Sequence, residues 1–122
     1  MSYGVYSEVY LAVQWDWKNN ACLCTRYDLA NGYGIKVGET VNCRQRQRTL
    51  DFKIIDWQEV GGEKQDRLFI EAYLRKKVSL VFGLSYYNGM DCFWFKDYKS
   101  IKYCQEHFKM WVKEAKEILK NL

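Results

Sequence analysis

The residues with reactive or metal-binding side chains are few enough to weigh one by one. The chain carries five cysteines and a single histidine. Cys22 and Cys24 alternate in a segment of extended character, and Cys104 and His107 stand three residues apart in a segment of helical period. Together they are four ligands of the kinds zinc accepts. The spacing argues against that use. Cys-x-Cys is not the Cys-x2-Cys knuckle that turns two thiolates onto one ion, and Cys104 belongs to an apolar stripe where a thiol packs as a small hydrophobe. Cys104 and His107 could also serve as nucleophile and base, but no glycine-rich oxyanion turn or orienting acid accompanies them. Asp16, Asp28, Asp51, Asp56, Asp91 and Asp97 are scattered near turns and strand ends without a D-x-D or E-x-x-H arrangement. Neither a two-metal nuclease nor a glycosidase pair follows from that spacing. Gly32-Tyr33-Gly34-Ile35-Lys36-Val37-Gly38 imitates a dinucleotide fingerprint, but its third glycine comes one residue late and no helical pattern follows. The expectation is a protein that is not an enzyme and holds neither metal nor cofactor.

Basic and aromatic residues give the stronger signal. Arg44, Arg46 and Arg48 alternate with glutamines, donors suited to phosphate oxygens and base edges. Read as extended chain, the three arginines point the same way. Arg75, Lys76 and Lys77 form a compact cluster read as a turn. Lys102, Lys109, Lys113, Lys116 and Lys120 line one flank of the C-terminal helix, where Glu106 and Glu117 partly neutralise them. That flank reads as a solvated face. The formal net charge is +4, and residues 62–122 carry all of it. An anionic partner is compatible with this bias, which is far below that of a histone-like binder. Ten Tyr, 6 Phe and 5 Trp supply rings for a core and for a recognition surface.

These residues need a frame. With 122 residues, 48% of them hydrophobic, the chain suits one domain over 1–122 with a single real core. No proline is present, so Gly, Asn and Asp must make the turns. Residues 5 to 17 alternate as a half-buried strand, followed by a turn at Lys18-Asn19-Asn20. A second strand over 21 to 29 would set Trp17 opposite Ala21 and Trp15 opposite Leu23. The apolar phase in 50 to 57 slips where Ile54 and Ile55 adjoin, which predicts a bulge. Residues 67 to 74 and 78 to 87 alternate and read as strands, and Asn88-Gly89 reads as a hairpin turn pairing Leu84 with Phe93 and Phe82 with Phe95. From Asp97 to Leu122, the residues Ile101, Cys104, Phe108, Trp111, Ala115, Ile118 and Leu122 recur at steps of three and four, and Asp97 or Ser100 can cap that helix. The predicted fold is α+β: an antiparallel sheet of five or six strands, covered on one face by one long C-terminal helix.

The expected function is non-catalytic binding of a nucleic acid or nucleoprotein complex, with Arg44, Arg46, Arg48, Arg75, Lys76 and Lys77 as the contact residues. The alternative is a protein-interaction module, such as a small inhibitor or accessory subunit that masks a partner's site, with Tyr6, Tyr10, Phe69, Tyr73 and Trp94 as anchors. No run approaches a membrane span, and Met1-Ser2-Tyr3-Gly4 lacks the features of a secretory leader. A reducing, cytoplasmic setting with free thiols is therefore expected, and a homodimer is compatible with the sequence.

Overall fold

A computed structural model describes residues 8–22, 33–61, 63–82, 92–95 and 98–122. Strand β1 (Glu8–Val13) is its centre: it pairs antiparallel with β4 (Tyr33–Thr40) on one side and β5 (Lys53–Glu59) on the other. The short β6 (Cys92–Phe95) extends the sheet along β4, giving the order β5-β1-β4-β6. A small separate ladder joins β2 (Trp15–Asp16) to β3 (Ala21–Cys22). Helix α1 (Cys43–Gln47) lies between β4 and β5, α2 (Lys64–Phe82) between β5 and β6, and α3 (Tyr98–Lys120) closes the chain. The architecture is α+β, with an antiparallel sheet and a long C-terminal helix. Among the described residues the main sheet has four strands, not five or six. Also among them, no helix is long and apolar enough to cross a membrane.

The missing strands have a specific cause. Residues 67 to 74 and 78 to 82, read as strands on either side of a turn, lie in one 19-residue helix, Lys64–Phe82, and residues 83 to 87 of the second expected strand are outside the described residues. The helix's inward row runs Arg67, Ile70, Glu71, Leu74 and Val78, a three-four spacing in which two positions are charged. Arg67 is only 7% exposed because its guanidinium meets the Glu39 carboxylate of β4, and Glu71 pairs with Arg75 one turn on at 3.5 Å. These ion pairs keep the charges tolerable inside, where an unpaired one would be costly. Phe93 and Phe95 pair with Ile35 and Tyr33 of β4, and Phe82, the expected partner of Phe95, ends α2; Leu84 lies outside the described residues. The Asn88-Gly89 turn lies outside the described residues.

Both faces of the sheet are covered, and the alternation of β1 decides what covers each. Val9, Leu11 and Val13 point to α2 and α3 and share the main core with Ile35, Val37, Phe93, Phe95, Leu74 and Phe108. Tyr10 and Ala12 point the other way and are sealed by Cys43 of α1 with Ile54, Leu50 and Phe52. Tyr10 is 1% exposed, which removes it from the possible exposed anchors. Its ring lies across Gly38, where a Cβ would come within 2.2 Å of the Tyr10 Cζ. Gly38→Ala is therefore expected to overpack this layer and cost about 1–3 kcal/mol. A denaturation midpoint equal to that of the unmutated chain would contradict this packing.

The sequence's phase slip is a real irregularity. Leu11 faces Asp56 and Ala12 faces Ile54, so Ile55 is the inserted residue of a β-bulge. Ile55 packs toward the two long helices, whereas Trp57, opposite Tyr10, falls on the α1 face. The outer edge of β5 is blunted by side chains. Gln47 accepts from the Ile54 N–H at 2.7 Å and donates to the Phe52 carbonyl at 2.8 Å. Asp56 accepts from the Trp57 N–H at 2.8 Å, Gln58 donates to the Trp57 carbonyl at 3.0 Å, and Lys116 of α3 donates to the Glu59 carbonyl at 2.9 Å. Groups that could template another strand are thus already engaged.

The first hairpin has one more loop residue than expected. Trp15 pairs with Cys22 and Asp16 with Ala21 across a turn at 17–20, in which Asn20 takes a positive φ of 51°. Asp16 holds the turn by accepting from the Asn19 backbone at 3.2 Å and its side chain at 2.7 Å. The α3 stripe holds from Ile101 to Ala115, with Val112 joining it, and then drifts outward. Ile118 is 41% and Leu122 86% exposed, and Leu119 packs on the core in their place. Ser100 lies inside α3, and Asp97 is outside the described residues.

Candidate functional site

The expected arginine ladder is a short helix. Asn42 caps α1 by accepting from the Gln45 N–H at 3.0 Å, and the Cys43 N–H donates to the Glu8 carboxylate at 2.6 Å. Cys43 and Gln47, four residues apart, face the sheet, which turns Arg44 and Arg48 outward together. Arg46, about 200° around the helix from Arg44, donates to Thr49 Oγ1 at 3.0 Å. The three arginines therefore do not point one way, as extended chain would have them. Among the described residues, no carboxylate lies within ion-pair distance of any of them.

Arg44 borders a cleft of about 570 Å³ whose other walls include Val41, Asn42, Glu8 and Trp57. Trp57 is 53% exposed, so a large part of it faces solvent in the cleft that Arg44 borders. The polar side chains of this cleft are mostly committed to the fold: Asn42 to Gln45, Glu8 to Cys43, and Gln47 to both Phe52 and Ile54. Further aromatic and cationic surface lies at the start of β5. There the Lys53 ammonium sits 5.8 Å from the Trp15 ring and 5.7 Å from the Trp17 ring. Trp17 donates its indole N–H to the Asp51 carbonyl at 2.8 Å, which fixes this corner.

Arg75, Lys76 and Lys77 lie elsewhere. They occupy the middle of α2, not a turn, on the opposite face of the sheet from α1. Arg75 pairs with Glu71, and Lys77 lies 3.6 Å from Glu114 and 5.4 Å from the Tyr73 ring centroid. Tyr73 donates to the same Glu114 carboxylate at 2.6 Å; burial, then that acidic neighbour, raises its pKa. Two of the three basic groups are thus tied into contacts within and between helices, and of the three only Lys76 is exposed. The fold does not merge the two basic clusters.

Cys104 and His107 are separated in environment. Cys104 is completely buried in the main core, and burial pushes its thiol up to about 12. His107 holds the Tyr103 carbonyl through Nδ1 at 2.8 Å and stacks on the Tyr103 ring with centroids 4.0 Å apart. A thiol so strongly protonated and enclosed is no nucleophile. Of the four-ligand zinc set, Cys24 lies outside the described residues, and among those described no group of three or more His, Cys, Asp or Glu could hold a metal. Burial, the Glu8 charge and a hydrogen bond to it also push Cys43 up to about 12. Both folded values exceed the ordinary 9.0, so the linked stability is intact below about pH 9 and is lost as pH rises toward 12. At pH 8 in native buffer, iodoacetamide is expected to leave Cys43 and Cys104 unlabelled and to modify both after denaturation. Rapid native labelling of either would contradict this burial.

Sequence reasoning did not single out Trp57 as a contact residue. Strict alternation keeps it in phase with Ile55, and only the inserted residue at the bulge moves it to the α1 face. The visible signal was the Ile54-Ile55 phase slip. Asn42 with Gln45 three residues on was an equally visible helix-start signal before the arginines. Searches for a matching protein-family model, a similar curated protein and a similar solved structure found none.

Proposed function

We propose that the protein is a non-catalytic domain that binds nucleic acid, free or within a nucleoprotein complex, through its α1 face. The observation that carries this reading is Arg44, with no carboxylate in ion-pair distance among the described residues, beside the half-exposed Trp57 ring in one cleft, with Arg48 on the same side of α1. A guanidinium without a carboxylate partner favours phosphate, and an open indole offers a stacking surface. The α2 cluster contributes less, because Arg75 and Lys77 already have carboxylate partners. The test is a titration with labelled oligonucleotides at two salt concentrations, since phosphate contacts weaken steeply as salt rises. No binding at low salt to DNA or RNA of any form would remove this function.

The runner-up is a protein-interaction surface on α2 and α3. A cleft of about 440 Å³ there lies between Leu80, which is 70% exposed, and Tyr103. Nuclease-insensitive capture of a single protein partner, abolished in Leu80→Glu, would favour that reading over the first.

A further inference from the structure

Resting on the nucleic-acid reading, the half-exposed Trp57 ring in the cleft narrows the ligand class. Duplex bases are stacked and paired, so an indole can take a base face only from an unpaired strand. Base identity, in contrast, is read by free donors and acceptors at the base edge. In this cleft the Gln47 amide uses its oxygen on the Ile54 N–H and its nitrogen on the Phe52 carbonyl. The Asn42 oxygen is taken by the Gln45 N–H, and one Glu8 oxygen by the Cys43 N–H. What remains for a ligand is the Trp57 ring, the apolar surface of Val41, the Arg44 guanidinium, the Asn42 amide NH2 and the second Glu8 oxygen.

We infer that the α1 cleft takes a single-stranded polynucleotide, one base stacked on Trp57 and its phosphates along Arg44 and Arg48. The charge pattern sets the strand's orientation. Glu8 lies in the cleft and repels phosphate, so the neutral base belongs over the cleft and the backbone on the outward side of α1. The exposed guanidinium of Arg48, four residues after Arg44, continues that backbone track.

The test uses the full chain with fluorescein-labelled homopolymers of about 12 nucleotides, within the ~4–16 nucleotide span of single-strand sites. Oligo-dT, oligo-dA, oligo-rU, oligo-rA and a mixed-sequence duplex of the same length are compared at low salt. Single strands are expected to bind more tightly than duplex. The DNA and RNA arms show whether one sugar is favoured. Trp57→Ala is expected to weaken single-strand binding about tenfold or more, while Trp57→Phe retains most of the affinity. Equal affinity for duplex, or a Trp57→Ala variant that binds single strands normally, overturns the inference. If the arginine substitutions still weaken binding in that case, the broader nucleic-acid reading survives. Absence of binding in every arm overturns both.

Discussion

Phe108→Ala is expected to lower the unfolding free energy by about 3–5 kcal/mol, against a total of ~5–15 kcal/mol for an ordinary domain. The Phe108 side chain is 1% exposed and sits in the cluster where α3 meets α2 and the β1–β4 part of the sheet. Removing it forfeits the transfer energy of an aromatic ring and leaves a void that close-packed neighbours fill only in part. Ile118→Ala is the matched control. Ile118 shares the three-four spacing of the apolar stripe but is 41% exposed, so its removal should change stability little, by less than about 1 kcal/mol. Equilibrium urea denaturation measures both. Similar midpoint shifts for the two variants would show that the helix faces the sheet along its whole stripe, contrary to the drift seen after Ala115.

The triple substitution of Arg44, Arg46 and Arg48 by Ala is expected to do the reverse. Binding falls and stability barely moves, because none of the three carries a carboxylate partner among the described residues. The native hydrogen bond at stake is Arg46 to Thr49, exposed and worth at most about 1 kcal/mol. Removing one phosphate-binding cation should shallow the dependence of log K on log salt by ~0.7 for a single strand. Arg44 and Arg48 together thus correspond to a slope change of about 1.4, with affinity at low salt reduced by tenfold or more. A large fall in melting temperature with unchanged binding would mean that the arginines serve α1 and not a ligand.

How much of this could be read from the chain differs by element. The α3 stripe was legible because its apolar and charged residues segregate sharply around the helix, and the structure confirms burial from Ile101 to Ala115. The strand alternation of residues 8 to 13 and the bulge at Ile55 were legible for the same reason: period two, and its single interruption, survive in the residue types. Helix α2 was obscured. Leu68, Ile70, Ala72 and Leu74 alternate like a strand, although Leu68 and Ala72 are exposed, while the helical inward row is broken by Arg67 and Glu71. The Glu39–Arg67 pairing is what makes Arg67 acceptable in that row, and a pairing 28 positions apart along the chain is invisible to periodicity. The acid-base spacing of Glu71 and Arg75 was the available helical signal. At the candidate site, the arginines were legible by type but not by direction. Their placement on a capped helical turn, and the arrival of Trp57 beside them, depend on Asn42, Gln47 and the bulge acting together.

That α1 surface holds the central claim, and the salt dependence of single-strand binding tests it most directly. The affinity of the unmutated chain for oligo-dT should be measured from about 50 to 200 mM salt. The expected result is a linear fall of log K with log salt, with a slope near −1.4 or steeper that the triple arginine variant shallows. Binding whose strength is indifferent to salt, or equally steep with the three arginines gone, would contradict the claim that this face grips phosphate.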